Sequence, residues 1–379
     1  MRSQALCVLA VAASSVIAHP GHDVRQEAKE RREFLQAAEK PSLRHCAKRW
    51  EENGLAASNK ARRSAVVEAA RQKRGLDSKK KRDLDGILST SHNMTDQHYS
   101  PNTDAATLFA GINSCVLTPE VTQGPYYVSG EDVRYSVIED QEGVEIILDY
   151  QVIDVETCEP VPDVYLEMWH CNSTGVYSGV VASGNGNSND ETNIDNTFLR
   201  GIQPTNDEGV AQFLSLFPGH YTGRATHIHV MVHTNATLQK NYTLGNENYA
   251  SHVGQAFFDQ DLISEVELVE PYNTNTQEIT TNAEDSILSE EVATDGVDPV
   301  MEYTLLGDDV SQGLFAWLAF GINVTASTEI TPAAFRYEDG GVENANSGMG
   351  GGNGGGAPGG GPGSTPLRRP RAHQPARPK

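Results

Sequence analysis

Between about residues 105 and 337, the chain repeats short segments in which apolar and polar residues alternate, separated by glycine, proline and asparagine. Such alternation places successive side chains on opposite faces of a strand, and turn residues at this spacing are typical of all-β domains. The segments are Glu145 to Val152, Tyr165 to Trp169, Val210 to Leu216, His227 to Val232, Met301 to Leu306 and Leu314 to Val324. We therefore predict a mainly β fold with an antiparallel β-sandwich core over residues 101–339.

The chain on either side of this region has a different composition. Residues 1–18 have the charged start, apolar run and small residues of a secretory signal peptide. Residues 19–100 form a basic N-terminal region and linker, in which Gln26 to Lys40 and Lys60 to Arg74 have the charge spacing of helices. Residues 340–379 are rich in glycine and end in a basic, proline-rich stretch, so we predict a disordered Gly-rich C-terminal tail.

The overall charge limits the classes of partner. A formal net charge of -22 at pH 7 argues against nucleic acid as a partner, because phosphates would be repelled. Beyond the signal peptide, no segment is long and apolar enough for a typical membrane span, so we predict a secreted, extracellular protein. The basic tail could contact acidic cell-wall polymers. The N-terminal helices suit dimer packing but carry little apolar surface, which leaves a homodimer open.

Cysteine usage fits secretion, since Cys7 leaves with the signal peptide and an even set of four remains. Four cysteines allow three pairings. We favour Cys158 with Cys171, which flank one strand, and Cys46 with Cys115, which would tie the N-terminal region to the core. Sequons for N-glycosylation, which also suit an extracellular chain, lie at Asn93, Asn172, Asn235, Asn241 and Asn323.

Residues 217–229, Phe-Pro-Gly-His-Tyr-Thr-Gly-Arg-Ala-Thr-His-Ile-His, combine a phenol, a guanidinium and imidazoles in one turn and the strand after it. His227 and His229 project to the same face of that strand, close enough to bind one ion, while the residues that alternate with them are apolar and can pack on a core. The Pro-Gly turn places Tyr221 and Arg224 on a loop beside the start of the strand. This composition predicts a metal site, although alternating histidines also occur on solvated strand faces.

Several ordered motifs make the chain recognisable. Together they resemble the intradiol ring-cleavage dioxygenases, specifically the secreted fungal branch, over roughly residues 100 to 335. The motifs are Pro-Val-Pro-Asp-Val-Tyr-Leu-Glu-Met-Trp-His-Cys-Asn at 160–172, Gly-Val-Tyr-Ser at 175–178, Phe-Leu-Arg-Gly-Ile-Gln-Pro at 198–204, Pro-Gly-His-Tyr-Thr-Gly-Arg at 218–224, His-Ile-His at 227–229, Gln-Gly-Pro-Tyr-Tyr at 123–127 and Phe-Phe-Asp-Gln-Asp-Leu at 257–262.

The resemblance implies a non-haem ferric ion held by Tyr177, Tyr221, His227 and His229. Phenolates are hard anionic donors that favour Fe(III), whereas a zinc site would more often contain cysteine or a third histidine. The resemblance also implies a catechol-type diol and O2 as substrates and a cis,cis-muconate-type diacid as product. In that chemistry Tyr221 leaves the metal and acts as a base, and Arg224 stabilises negative charge on the ring.

Other interpretations stay open at this point. Arg200 is either close behind the site or structural, Tyr126 and Tyr127 either line the substrate pocket or simply pack, and His220 and His233 are predicted to be structural or surface residues. The chain could instead be a non-catalytic β-sandwich module that binds a metal or an aromatic compound. It could also be another His-x-His metalloenzyme that uses carboxylates, as cupin-like proteins do. A strong phenolate-to-iron colour would distinguish the dioxygenase from both.

Overall fold

Two β-sheets packed face to face form the main body of the protein in a computed structural model. The model describes residues 24–76, 114–116, 124–182, 184–245, 249–250, 252–294, 297–345 and 347. The predicted signal peptide, the Asn93 sequon and nearly all of the predicted tail lie outside the described residues.

The first sheet has five strands, in the order β1-β13-β3-β6, with β12 paired alongside β13. These strands are β1 (Ser114–Val116), β3 (Glu145–Asp154), β6 (Val210–Leu216), β12 (Glu302–Leu305) and β13 (Leu314–Ile322). The sheet is mixed, because β13 runs parallel to both β1 and β3. Parallel neighbours need long crossover connections, and the chain between β3 and β13 meets this need by forming the second sheet.

The second sheet has four antiparallel strands in the order β11-β7-β4-β5. They are β4 (Tyr165–Trp169), β5 (Arg200–Pro204), β7 (His227–His233) and β11 (His252–Phe257). The remaining short strands are β2 (Val128–Ser129), β8 (Thr237–Leu238), β9 (Leu244–Gly245), β10 (Tyr249–Ala250), β14 (Thr328–Glu329), β15 (Ala334–Tyr337) and β16 (Gly340–Glu343).

The core lies between the two sheets. It takes Leu148 and its alternate neighbours from β3, Leu318 and its alternate neighbours from β13, and Ile228, Val230 and Val232 from β7. Because side chains alternate along β7, the opposite face of that strand carries the two histidines singled out in the sequence. The mainly β class and the helical N-terminal extension are confirmed.

The described helices are α1 (Val24–Ala37), α2 (Ala47–Asn53), α3 (Leu55–Lys73), α4 (Gln260–Val266) and α5 (Ser286–Val292). Short 3₁₀ turns occur at Arg44–Cys46, Glu191–Asp195, Tyr272–Thr274 and Val310–Gln312. No helix within the described ranges combines the length and apolar character of a membrane span.

The N-terminal helices pack against this domain through both apolar and charged groups, and the apolar contacts include Trp50 and Val67. Arg62 and Arg63 of α3 each donate to the Asp149 carboxylate of β3 at 3.1 Å. Burial alone would raise the pKa of Asp149, but the two guanidinium groups hold it below its ordinary value. Arg63 also lies over the ring of Trp317. Helix α3 thus covers part of the outer face of the first sheet through apolar as well as charged contacts.

The predicted cysteine pairing is wrong, because Cys46 forms a disulfide with Cys158, with a Cα–Cα distance of 5.3 Å. Cys171 is a free thiol, buried, and its Sγ donates to the Gly219 carbonyl. Strand β4 separates Cys158 from Cys171, and its five residues alone span about 17 Å, far beyond the reach of a disulfide. The bridge still ties the N-terminal region to the core.

The predicted start of the tail at residue 340 is also too early. Gly340–Glu343 forms β16, which pairs antiparallel with β15. Glycine-rich composition suggested disorder, but two glycines at this position allow close backbone approach: an added Cβ at Gly341 would meet the backbone of Ile194.

We predict that the double variant Cys46→Ser/Cys158→Ser lowers the free energy of unfolding by about 2–4 kcal/mol, because the bridge restrains the unfolded chain. Urea denaturation measures this loss. Peptide mapping of the unreduced wild type should recover Cys46 linked to Cys158. The control Cys171→Ala should leave that linked peptide intact, and a bridge to Cys171 would contradict the assignment.

Candidate metal centre

His227 and His229 lie side by side on β7 and point into a buried layer on the outer face of the second sheet. Their rings are nearly perpendicular, and their Nε2 atoms are 3.1 Å apart. Two imidazole nitrogens that converge in this way can both donate lone pairs to one ion.

The orientation of each ring is fixed by its neighbours. His227 Nδ1 donates to the Ala225 carbonyl at 2.6 Å, which leaves the Nε2 lone pair for a metal. His229 stacks in parallel on Trp169 with ring centroids 4.9 Å apart. Gly124 lies close to the Cε1 atom of this ring: it has a φ of +70°, and an added Cβ would be only 2.9 Å from His229 Cε1. Only glycine fits against the ring there.

Tyr177 enters the same layer from the loop between β4 and β5. The loop begins with a turn at residues 172–175, in which the Asn172 side chain accepts from the backbone N–H groups of Thr174 and Val176. The backbone of Tyr177 is held on both sides by Asn185, whose amide accepts from Tyr177 N and donates to Tyr177 O, each at 2.8 Å. Asn193 donates to the same carbonyl at 2.8 Å.

Residues 184–193 form a polar insertion whose composition is typical of an exposed loop, but two of its members are buried. The side chains of Asn185 and Asn193 are buried and bind the Tyr177 segment, while the residues between them are largely exposed. Asparagine can replace a missing backbone partner, since its amide offers both a donor and an acceptor. The insertion therefore supports the candidate site.

Tyr221 lies in the turn before β7, where its backbone pairs with that of Arg224. Its loop and the Tyr177 loop touch at Gly175, which has a φ of +79° and whose added Cβ would collide with the His220 carbonyl. The ring centroid of Tyr221 lies 5.6 Å from that of Tyr177 and 6.0 Å from that of His227. The ring centroids of Tyr177 and His229 are 6.2 Å apart. Two loops and one strand thus bring all four predicted ligands together.

Burial raises the pKa of both Tyr177 and Tyr221, and the nearby Arg224 guanidinium partly offsets the rise. The Tyr177 hydroxyl makes no hydrogen bond of good geometry among the described residues, although it interacts with Tyr221. A bound trivalent cation would supply the charge that favours the phenolate forms. Two imidazoles with converging nitrogens and two buried phenols fit ferric iron.

Arg224 is fully buried beside this group. Its Nε donates to Asp285 at 2.8 Å, and its Nη2 donates to Gln255, which pairs with His229 in the sheet. The sequence interpretation missed both partners. The sequence could have indicated Asp285 as the N-cap of a short helix. Gln255 lies in a largely apolar strand, and no nearby residue indicates that it binds Arg224.

The structure also places the residues left open in the sequence. Arg200 is buried and donates to Ser178 O at 3.0 and 2.6 Å, so it supports the Tyr177 loop from behind. Tyr126 stacks near Tyr177 with centroids 4.7 Å apart. His220 binds Glu267, and His233 binds Glu167, so both rings are engaged outside the four-residue group.

We predict that Gly124→Ala weakens metal affinity about 10–100-fold, because the new methyl group displaces the His229 ring. Iron content after titration against a chelator measures the change. Gly75→Ala is a matched control, since Gly75 also has a positive φ but has nothing within 4 Å of its added Cβ. Equal iron affinity in the two variants would show that Gly124 does not restrict the histidine.

We predict that Asn185→Ala lowers the free energy of unfolding by about 1–3 kcal/mol, because buried backbone groups of Tyr177 lose their partners. In the iron-loaded protein, the absorption band from Tyr177 should shift or broaden as the ring loosens. Asn189→Ala, at an exposed position of the same insertion, is the control. A silent Asn185→Ala variant would remove the insertion from the support of the site.

Comparison with known proteins adds independent information. Residues 122–283 match the family model described as dioxygenase. Catechol 1,2-dioxygenase from Acinetobacter baylyi is 30% identical over 193 residues, which are 45% of this chain and 61% of that protein. The chain therefore spans less than two thirds of the length of that relative.

Two solved structures are also similar. An intradiol ring-cleavage dioxygenase from Tetranychus urticae is 29% identical, with 56% of this chain and 96% of that chain covered and a TM-score of 0.44. The dioxygenase domain of a fusion with a carbohydrate-binding protein, from Streptomyces sp. SirexAA-E, is 20% identical, with 57% and 99% covered and a TM-score of 0.32. The family model and the curated relative thus both show that this part of the chain is similar to dioxygenases.

Proposed function

We propose that this protein is a secreted non-haem Fe(III) intradiol dioxygenase that cleaves catechol-type diols with O2 to cis,cis-muconate-type diacids. The observation that carries the proposal is the convergence of Tyr177, Tyr221, His227 and His229, with the two Nε2 atoms 3.1 Å apart. Bound at these four side chains, ferric iron would supply the Lewis acidity that holds both diol oxygens as anions and opens the ring to O2.

Tyr221 is the residue that moves a proton in this proposal. It lies on a turn, whereas Tyr177 is held by two asparagine side chains and His227 and His229 are fixed in a strand. The Tyr221 oxygen is therefore the ligand most able to leave and accept a proton from a diol hydroxyl. Tyr177 and the histidines would stay in place.

Arg224 supplies the permanent positive charge. Asp285 and Gln255 hold its guanidinium from two directions, so it does not need to reorganise when negative charge develops on the substrate. The surrounding buried layer, which includes Trp169, Tyr126 and Met231, excludes water and strengthens this interaction.

The alternative functions receive less support. A His-x-His site with carboxylates needs a third ligand, but no described His, Cys, Asp or Glu joins His227 and His229 in a compact group. The one such group in the described ranges is His45 with Cys46 and Cys158, whose sulfurs form the disulfide. A non-catalytic binding module would not require a buried guanidinium beside two phenols.

Secretion and modification belong to the same proposal. The Cys46–Cys158 bridge suits an oxidising compartment. Asn235, Asn241 and Asn323 are exposed and open to glycosylation, whereas the Asn172 amide donates to Gln141 and its oxygen is used within its own turn. The N-terminal helices pack on their own domain, which leaves less surface for a homodimer. Contact between the basic tail and cell-wall polymers stays a proposal.

The proposal is tested by O2 consumption of the purified, iron-loaded protein against catechol, protocatechuate, hydroxyquinol and substituted catechols, with product identification. We expect a coloured protein, one O2 consumed per diol and a product cleaved between the two hydroxylated carbons. Arg224→Ala should keep the iron and colour but lose most of the turnover, because charge on the substrate is no longer stabilised. Extradiol products, or a colourless protein with iron bound, would contradict the function.

A further inference from the structure

Helix α1, at the N-terminal end of the described chain, packs against α5, more than 250 residues later. Arg31 of α1 and Glu291 of α5 form a pair in which both side chains are completely buried. Arg31 donates through Nε at 2.9 Å and through Nη2 at 2.6 Å, one bond to each oxygen of the carboxylate. This bidentate arrangement fixes both the distance and the angle between the two helices.

The other end of α5 is attached to the candidate site. Asp285 caps the helix by accepting from Leu288 N at 2.9 Å. The same carboxylate accepts from Arg224 Nε and from Ala225 N, both at 2.8 Å. The residue that starts the helix is therefore also the residue that holds the Arg224 guanidinium.

Helix α5 connects Asp285 to Glu291, so a movement of one of these residues is expected to move the other. Asp285 and Glu291 are six residues apart, which corresponds to about 9 Å along a helix. The backbone hydrogen bonds of α5 keep this distance nearly constant, so a shift at Glu291 also moves Asp285. Electrostatics connects the same groups, because Glu27 of α1 and Glu291 both interact with the Arg224 charge.

The buried pair is not needed for stability alone, since a well-packed apolar pair can be equally stabilising. The neighbouring pair of Arg32 with Glu290 is made at 2.7 Å by side chains that are about one third exposed. It can supply ordinary attraction between the helices. The buried Arg31–Glu291 pair also restricts the relative orientation of the helices, because both of its hydrogen bonds must be satisfied together.

We propose that Arg31 is a positioning residue for the active site: through Glu291 and α5 it sets the position of Asp285 and thereby of the Arg224 guanidinium. The consequence for turnover rests on the proposed function. The coupling between α1 and Arg224 does not depend on it.

The test uses the full-length protein and the double variant Arg31→Met/Glu291→Met, which removes both charges of the buried pair together and so avoids leaving one of them without the other. We expect about a tenfold lower kcat with unchanged iron content and colour. The conservative variant Arg31→Lys keeps the charge but loses the bidentate geometry, and should fall between this variant and the wild type. Arg32→Met/Glu290→Met is the matched control at the exposed pair and should keep the wild-type kcat.

A double-mutant cycle with Arg224→Lys distinguishes positioning from a general structural role. If Arg31 acts through Arg224, removing the buried pair should cause little further loss of kcat in the Arg224→Lys background. Equal losses in both backgrounds, or a wild-type kcat in the double methionine variant, would overturn the proposal.

Hydrogen exchange provides a readout that needs neither iron nor substrate. The Ala225 amide donates to Asp285, so its protection reports whether Asp285 keeps its position. We expect faster exchange at Ala225 in the double methionine variant than in the Arg32→Met/Glu290→Met control. If the protein turned over no diol, the proposed function would fail, but this measurement would still decide the coupling: unchanged exchange would refute it.

Discussion

The Arg224 guanidinium is completely buried, and a charge in that position destabilises the fold unless a counter-charge and further hydrogen bonds accompany it. Asp285 supplies the counter-charge and Gln255 supplies a further acceptor. Each partner in turn requires support: Asp285 caps a helix, that helix is held by Arg31, and Gln255 is fixed by its place in the second sheet. One buried cation thus links the N-terminal helix, the C-terminal half of the domain and the candidate ligands.

The four candidate ligands have unequal freedom, and this follows from the elements that carry them. A strand in the middle of a sheet fixes the two histidines, and asparagine side chains extend similar rigidity to Tyr177. Tyr221 lies on the turn closed by Arg224, and the backbone on either side of it is bound by Asn275 and Thr280. Under the proposed function, Tyr221 on its turn is the ligand that gives way to the substrate, while the two histidines stay fixed in the strand.

Much of this arrangement could be predicted from local sequence. The alternating segments gave β3, β4, β6 and β7 nearly to the residue, because alternation depends only on which face is buried. The parallel pairing of β13 with β3 could not be predicted, since it depends on long connections. The cysteine pairing failed for the same reason: sequence proximity suggested Cys171, whereas α2 brings Cys46 to Cys158. Polar composition was misleading at Asn185 and Asn193, where buried amides serve as backbone partners.

Strand β16 gives the C-terminal end of the domain an unexpected role. Its Gly341 N–H is bound by Asp195, at the end of the 3₁₀ turn that also contains Asn193. Composition alone would place the end of the domain at residue 339. A truncation there would remove this hydrogen bond and expose the turn that carries Asn193. Shortened versions of the chain made for crystallisation should therefore retain residues up to at least Asn344, whose side-chain amide donates to the Pro332 carbonyl and whose backbone N–H donates to the Ala333 carbonyl.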